Sequence, residues 1–268
     1  MARLSQREKH QRTKQIFWGS LLIIIVVLVI TSAGYHSFNK SEGLNPDTLC
    51  PTTGPKGHYV LLIDTTDQLS FTQHAAFEVT LRDLIEKRVP EGYLFSVFVM
   101  GEDFKECANP LVELCNPGTG EEKSELTANI KQLKRQYKEK FLDFLINKSS
   151  NILNSKAANT SPVFEMIQMV SINSFRKHDV KGKRHLIVIS DMLHNTSQFS
   201  MYKGIVDYQI FASSDYGRKL QLELNDVEVE IHYLINNPRL QTKRNLKFWE
   251  DYFHNAGASI VAVRPLEG

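Results

Sequence analysis

Short apolar runs alternate with longer amphipathic segments from residue 58 to the end of the chain. The runs predict five buried strands: HYVLLID, YLFSVFVMG, RHLIVISD, VEVEIHYLI and SIVAV. Apolar positions recur at helical spacing in TQHAAFEVTLRDLIEKRV, LTANIKQLKRQYKEKFLDFLINKSSNIL, VFEMIQMVSINSF and LKFWEDYFHNAGA. Strands that alternate with such helices predict a mostly parallel sheet covered on both faces, which is a three-layer, doubly wound α/β fold.

A different pattern precedes this domain. Residues 15–39 carry no formal charge, and LLIIIVVLVI within them has no polar side chain. A helix of about 20 apolar residues crosses a bilayer, so residues 15–38 predict one N-terminal transmembrane helix. The basic residues before it place residues 1–14 in the cytoplasm and the main domain in the periplasm or outside the cell. We therefore expect a single-pass protein of the inner (cytoplasmic) membrane.

A cleaved signal peptide is the alternative interpretation of the same segment. Its support is the basic start of the chain and the small residues TSA at positions 31–33. The apolar run is longer than that of a usual signal peptide, which favours an uncleaved anchor. Both interpretations export the main domain.

Composition limits the remaining possibilities. The chain has 268 residues, 42% of them hydrophobic, and a net charge of +2. This charge implies no general polyanion-binding surface, so we expect no nucleic-acid partner. Residues 39–57 are rich in Pro, Gly and Thr and predict a linker to a domain over residues 58–268. The pattern over residues 198–224 predicts an irregular insertion near the functional site, where partner specificity would lie.

The three cysteines are Cys50, Cys107 and Cys115. In an oxidising compartment, CANPLVELC would close a small loop between Cys107 and Cys115 and leave Cys50 unpaired. Three reduced thiols are the alternative, and an odd count does not decide between them. We take Cys107–Cys115 as the expected disulfide.

Acidic residues end two of the predicted strands. HYVLLID ends on Asp64 and RHLIVISD ends on Asp191. Ligands of open α/β sheets bind outside the carboxyl ends of the strands. Hydroxyl residues occur in the same kind of position. Thr66 follows Asp64 by two residues, and Ser161 stands at the start of another predicted helix. Carboxylate and hydroxyl oxygens suit Mg²⁺ or Mn²⁺, although either Asp alone is also explained as a helix cap.

This combination resembles the von Willebrand factor type A (VWA) domain, also called the integrin I-like domain, over residues 58–265. That family carries a metal-ion-dependent adhesion site made of Asp-x-Ser/Thr-x-Ser, a Thr in a Thr-Pro-like turn, and an Asp after the fourth strand. Asp64, Thr66, Ser161 and Asp191 match these positions, and Gln68 stands where the family has a hydroxyl. The resemblance implies a Mg²⁺ or Mn²⁺ site in which Gln68 offers a carbonyl oxygen on a longer stem.

In an intact site of this family, an acidic residue of a partner protein fills the open coordination position of the metal. The resemblance therefore implies a membrane-anchored bacterial binding module, not an enzyme, that recruits a protein partner in an envelope or mobile-element-associated assembly.

Two alternatives stay open. One is a metal-free scaffold, because Gln68 departs from the family pattern. The other is a metal-dependent phosphoryl-transfer hydrolase with Asp64 as nucleophile or metal ligand, although Thr66 stands where its general acid is expected and no phosphate-binding glycine motif occurs.

Overall fold

The computed structural model describes residues 6–38, 43–121, 129–152, 157–204 and 207–266. Its contacts divide the chain into two units, residues 1–42 with 122–129, and residues 43–121 with 130–268. The predicted basic tail and linker fall partly outside the described residues, at positions 1–5 and 39–42.

The first unit contains one long helix, α1 (Gln6–Phe38). Its large apolar side chains from Phe17 to Ile30 are exposed, and Leu22, Ile23 and Ile30 have 64%, 66% and 64% of their surface accessible. Within the described part of the chain, no helix has both the length and the apolar character needed to cross a membrane. The transmembrane helix over residues 15–38 therefore remains a prediction from the sequence.

The second unit is built on a six-stranded sheet with the order β3-β2-β1-β4-β5-β6. Its strands are β1 (His58–Asp64), β2 (Leu94–Met100), β3 (Val112–Cys115), β4 (Arg184–Ser190), β5 (Val227–Leu234) and β6 (Ser259–Leu266). All neighbours are parallel except β2 and β3, which are antiparallel. The sheet confirms the predicted mostly parallel α/β fold. β3 is an additional strand that the sequence pattern did not predict.

Helices flank this sheet. They are α2 (Phe71–Asp83), α3 (Ile130–Arg135), α4 (Asp143–Ile152), α5 (Val163–Val170), α6 (Tyr208–Ser213), α7 (Asp215–Lys219) and α8 (Lys243–Asn255). π-helical turns extend α2 through Leu84–Arg88, join α3 to α4 through Gln136–Leu142, and extend α5 through Ser171–Arg176. Residues 198–224, where the pattern predicts an irregular insertion, contain a short 3₁₀ turn (Met201–Lys203), α6 and α7.

Two apolar clusters form the core of this unit. Leu61 of β1 belongs to one cluster with Phe77 of α2. Leu62 belongs to the other with Phe164 of α5 and Trp249 of α8. Successive residues of a strand point to opposite faces of its sheet, and every residue of β1 is buried. Helices on both faces thus explain why this strand is a continuous apolar run.

The strand order reverses at β1, because β2 and β3 lie on one side of it and β4 to β6 on the other. In doubly wound sheets, the carboxyl ends of the strands at such a reversal form a crevice where ligands bind. Asp64 is the last residue of β1, and Asp191 directly follows β4. Topology therefore places both predicted acids at the expected edge.

Residues 43–57, the described part of the predicted linker, are packed as part of the second unit. Leu49 is 1% exposed and joins the same apolar cluster as Leu61. The backbone N–H of Cys115 donates to the carbonyl of Thr48 at 2.9 Å. Composition typical of a linker therefore coincides here with a segment held against the edge strand β3.

The predicted Cys107–Cys115 disulfide is wrong. Cys115 forms a disulfide with Cys50 across 65 residues, and Cys107 is free. The reason lies in the packing: the segment carrying Cys50 runs beside β3, whereas Cys107 packs against the apolar cluster that contains Leu62.

Candidate functional site

The carboxylate of Asp64 is fixed in place at the end of β1. Its Oδ1 accepts hydrogen bonds from the backbone N–H and the hydroxyl of Thr66, at 2.9 and 2.7 Å. Its Oδ2 accepts from the hydroxyl of Ser190, the last residue of β4, at 2.6 Å. An Asp that bonds to the residue two positions later forms a local turn, so Asp-Thr-Thr folds in a way that orients both side chains.

Asp191 is a second buried acid, only 2% exposed. Its Oδ1 accepts from the backbone N–H of Leu193 at 2.8 Å, and its Oδ2 has no hydrogen-bond partner among the described residues. Burial raises the pKa of Asp191 to about 8, and the negative charges of Asp64 and Asp67 add to the rise. Burial also raises the pKa of Asp64. The edge thus gathers two buried carboxyl groups whose ionisation is disfavoured without a bound cation.

Ser161 reaches this edge through its backbone. Its N–H and carbonyl pair with the carbonyl and N–H of Asn195, at 2.8 and 2.9 Å. Asn195 lies in the loop after β4, and the N–H of Ala158 donates to the carbonyl of Thr66 at 2.8 Å. The Ser161 hydroxyl is buried and has no partner among the described residues. The turn before α5 is therefore tied to both loops that carry the acids.

Gln68 differs from the other predicted ligands because it is exposed. Its neighbour Asp67 is exposed too, but the Asp67 carboxylate accepts from the side-chain amide of Asn236 at 3.0 Å. Asn236 in turn accepts from Gln73 of α2 at 3.1 Å. The charge of Asp67 also helps to raise the pKa of Asp191. The loop after β1 is thus fixed by the hydrogen bond of Asp67, whereas the side chain of Gln68 is exposed.

Sequence reasoning missed several residues that organise the edge. Gln241 donates to the carbonyls of Asp191 and Leu234 at 3.0 and 2.6 Å, so it holds the loop after β5 against the loop after β4. Ser190 was visible as a polar residue that ends an apolar run. Asn236 and Gln241 lie in a polar loop where the pattern gives no indication of their partners.

The donor set fits a hard cation in its chemistry. Among the described residues, no group of three or more His, Cys, Asp or Glu side chains is arranged to hold a metal ion. A site of the predicted type does not require such a group, because two of its ligands are hydroxyls. Ser161 Oγ and Asp191 Oδ2 are both buried predicted ligands without a protein partner among the described residues, and oxygen atoms of this kind suit Mg²⁺ or Mn²⁺.

The same geometry bears on the hydrolase alternative. A nucleophilic carboxylate needs an oxygen that can reach its substrate. Asp64 is 5% exposed, and both of its oxygens accept hydrogen bonds from protein groups. This arrangement does not present Asp64 for attack.

No family model matches the chain, and no curated protein matches it either. Among solved structures it is similar to the crystal structure of the SpRpn10 VWA domain, with a TM-score of 0.40 and 9% identity over 78% of this chain and 88% of that chain. It is also similar to the human COPII-coat protein Sec24c, with a TM-score of 0.36 and 9% identity over 79% of this chain and 30% of that chain. The sheet itself defines the fold, with six mostly parallel strands flanked by helices.

Proposed function

We propose that this chain is a protein-interaction module that recruits its partner at the carboxyl edge of the sheet. We further propose that Asp64, Thr66, Ser161 and Asp191 hold a Mg²⁺ or Mn²⁺ ion there. The observation that carries this proposal is the pair of buried oxygens without partners, Ser161 Oγ and Asp191 Oδ2. A buried polar atom without a partner is costly, and one hard cation would satisfy both.

The charge of the edge suggests how such a partner is recognised. The carboxyl groups of Asp64, Asp67 and Asp191 give the edge nothing that attracts an acidic residue while no cation is bound. A cation held in part by the neutral hydroxyls of Thr66 and Ser161 keeps enough positive charge to attract a carboxylate. We therefore propose a partner protein that presents an acidic residue, with binding that depends on the cation.

Thermal unfolding tests the cation directly. A ligand that binds only the folded state raises stability, by about 2.7 kcal/mol at a concentration of 100 times its Kd. We expect Mn²⁺ or Mg²⁺ to raise the melting temperature of the wild type above its value in EDTA. Ser161→Ala and Asp191→Asn should abolish the rise. Asp215→Asn, which changes an exposed carboxylate of α7, should preserve it.

The two alternative outcomes have separate meanings. A rise that survives in both site variants would place the cation elsewhere on the protein. No rise in the wild type would favour a metal-free scaffold, for which the exposed position of Gln68 is the supporting observation.

We also propose that residues 15–38 anchor the domain in the inner membrane of a bacterial envelope, with residues 1–14 in the cytoplasm. The support is the uncharged apolar stretch, the basic residues before it, and the exposed apolar side chains of α1 from Phe17 to Ile30. The Cys50–Cys115 disulfide supports export, because disulfides persist in oxidising compartments.

Membrane fractionation tests this anchor. We expect the full chain to stay with bacterial membranes after extraction at alkaline pH, and a chain lacking residues 1–38 to be released. A protease added to the periplasm should digest the main domain of the full chain. Release of the full chain by alkali would contradict the anchor.

A further inference from the structure

A cavity of about 310 Å³ opens at the start of α8. Its walls come from the 3₁₀ turn after β4 and from the loop that joins β5 to α8. The residues that line it include Met201, Tyr202, Arg239, Leu240, Arg244 and Asn245. The polar chemistry of this cavity differs from that of the candidate cation site.

The cavity lies beside the carboxyl edge of the sheet, where Asp64 and Asp191 are. Gln241, adjacent to the lining residue Leu240, donates to the backbone carbonyl of Asp191 at 3.0 Å. Tyr202 connects the two places electrostatically: burial raises the pKa of its hydroxyl to about 12, and the charges of Asp191, Asp67 and Asp64 contribute. The cavity therefore adjoins the carboxyl edge of the sheet.

Positive charge at the cavity is left without protein partners. Arg239 and Arg244 are exposed, and neither forms an ion pair or a side-chain hydrogen bond within the described part of the chain. Lys243 and Arg244 open α8, whose first turn contains no acidic residue. Cations near the N-terminus of a helix are unfavourable for its dipole. Stability alone would favour acidic residues at these positions.

The interior of the cavity is apolar and firmly supported. Met201 is 2% exposed, and Leu240 packs against the apolar cluster of that face. Asn245 is 4% exposed, and its amide is fully engaged: Oδ1 accepts from the hydroxyl of Tyr233 at 2.7 Å and Nδ2 contacts the sulfur of Met201 at 3.4 Å. The cavity thus combines an apolar wall with a basic rim, and Tyr and Arg are the residue types that often dominate protein interfaces.

We propose that this cavity is a second subsite of the interaction surface, and that it takes a partner segment in which an apolar side chain is flanked by carboxylates. The apolar wall would bury the side chain, while Arg239 and Arg244 would pair with the carboxylates. A nucleic acid fits less well, because the neighbouring edge is acidic and the net charge of the chain is only +2. This inference rests on the proposed function.

Fluorescence anisotropy with a labelled peptide tests the subsite. The probe alternates pairs of glutamates with single leucines, and its comparison peptide carries serine in place of leucine. In EDTA at low salt, the wild type should bind the probe and bind the serine peptide several-fold more weakly. Arg239→Glu/Arg244→Glu should weaken binding at least tenfold.

The matched control is Arg135→Glu/Lys140→Glu, which makes the same change of charge at exposed positions of the α3–α4 helix. It should bind like the wild type. Glu at position 244 suits the first turn of α8, so the cavity variant should melt no lower than the wild type. Misfolding would then not explain its loss of binding.

The subsite would be overturned if the wild type did not bind the probe with or without Mn²⁺, or if the cavity variant and its control lost binding equally. It would also be overturned if an oligothymidylate of equal charge displaced the probe as effectively as unlabelled probe.

Asp191→Asn separates this inference from the cation proposal. In EDTA it should bind the probe at least as well as the wild type, because the asparagine side chain cannot ionise and repel the probe, but Mn²⁺ should not tighten its binding. If Mn²⁺ has no effect on the wild type while the dependence on Arg239 and Arg244 remains, the cation proposal fails and the subsite stands. If Mn²⁺ tightens binding but the two arginines have no influence, the subsite fails.

Discussion

Two buried carboxylates of this domain have opposite surroundings. Glu230 of β5 accepts from the two terminal guanidinium nitrogens of Arg88 at 3.0 and 2.5 Å, from Arg264 at 2.9 Å, and contacts His232 at 2.8 Å. Burial acts to raise its pKa, but His232 and Arg88 outweigh burial and lower it. Asp191 has one backbone donor, acidic neighbours and a raised pKa.

The difference follows from where each carboxylate lies. Glu230 is inside a strand, where the fold itself neutralises its charge through Arg88, Arg264 and His232. Asp191 lies just beyond a strand, at the edge where the strand order reverses. A titratable group in such a crevice whose charge the protein does not neutralise is a candidate for a functional residue. A carboxylate that is fully paired with basic side chains is a candidate for a stabilising residue. Substitutions at the two positions should therefore change the free energy of unfolding in opposite directions.

Glu230→Gln should have the largest effect. It leaves Arg88, whose side chain is only 32% exposed, facing a neutral amide, and we expect a loss of about 2–3 kcal/mol in the free energy of unfolding. Urea unfolding at neutral pH measures it. Glu228→Gln on the same strand is the control, because its side chain is 48% exposed and should cost less than about 1 kcal/mol. Equal losses would mean that Glu230 behaves as an ordinary surface ion pair.

The pH dependence of stability should show the same pairing. The pKa of Glu230 lies below its ordinary value of 4.5 in the folded state. Its contribution is therefore complete above that value and is lost as the pH falls below it, with a slope of up to about 1.4 kcal/mol per pH unit. Urea midpoints measured from about pH 5 to about pH 3 should fall more steeply for the wild type than for Glu230→Gln. Parallel curves would contradict the pairing.

Asp191→Asn should act in the opposite direction. In EDTA it replaces a carboxyl group whose ionisation is disfavoured by burial and by the charge of Asp64, and the new amide keeps an oxygen for the N–H of Leu193. We expect a gain on the order of 1 kcal/mol in the free energy of unfolding. Urea unfolding in EDTA at neutral pH measures it. A loss as large as that of Glu230→Gln would show that Asp191 is needed for the fold itself.

The sequence predicted the part of this comparison that depends on local pattern. Apolar runs located β1 and β4, and the rule for the carboxyl ends of parallel strands placed Asp64 and Asp191 at one edge. The pairing of Glu230 was not predictable in this way, because Arg88 lies 142 residues earlier. VEVEIHYLI shows only a strand with acidic residues in it, and the partners of a buried charge are set by tertiary contacts.

The same limit explains why the sequence did not predict β3, the outermost strand on one side of the sheet, or the disulfide formed beside it. β3 has four residues, two of them partly exposed, so it lacks the length and alternation that identify a strand. Cys50 lies in a segment whose composition is that of a linker. Its disulfide with Cys115 spans 65 residues, and spacing along the chain favoured the nearer Cys107.

Gln68→Ser should give the smallest change in stability and the finest test of the acidic edge. Because Gln68 is exposed, the free energy of unfolding in EDTA should change by less than about 0.5 kcal/mol. A serine hydroxyl at this position would supply the oxygen that the VWA pattern places there, and we expect Mn²⁺ to bind about tenfold more tightly, or about 1.4 kcal/mol. Calorimetric titration with Mn²⁺ measures this affinity.

Gln68→Ala is the matched control, since it removes the long side chain without adding an oxygen. If both variants bind Mn²⁺ equally well, position 68 contributes no ligand, and the contacts of the ion are confined to Asp64, Thr66, Ser161 and Asp191.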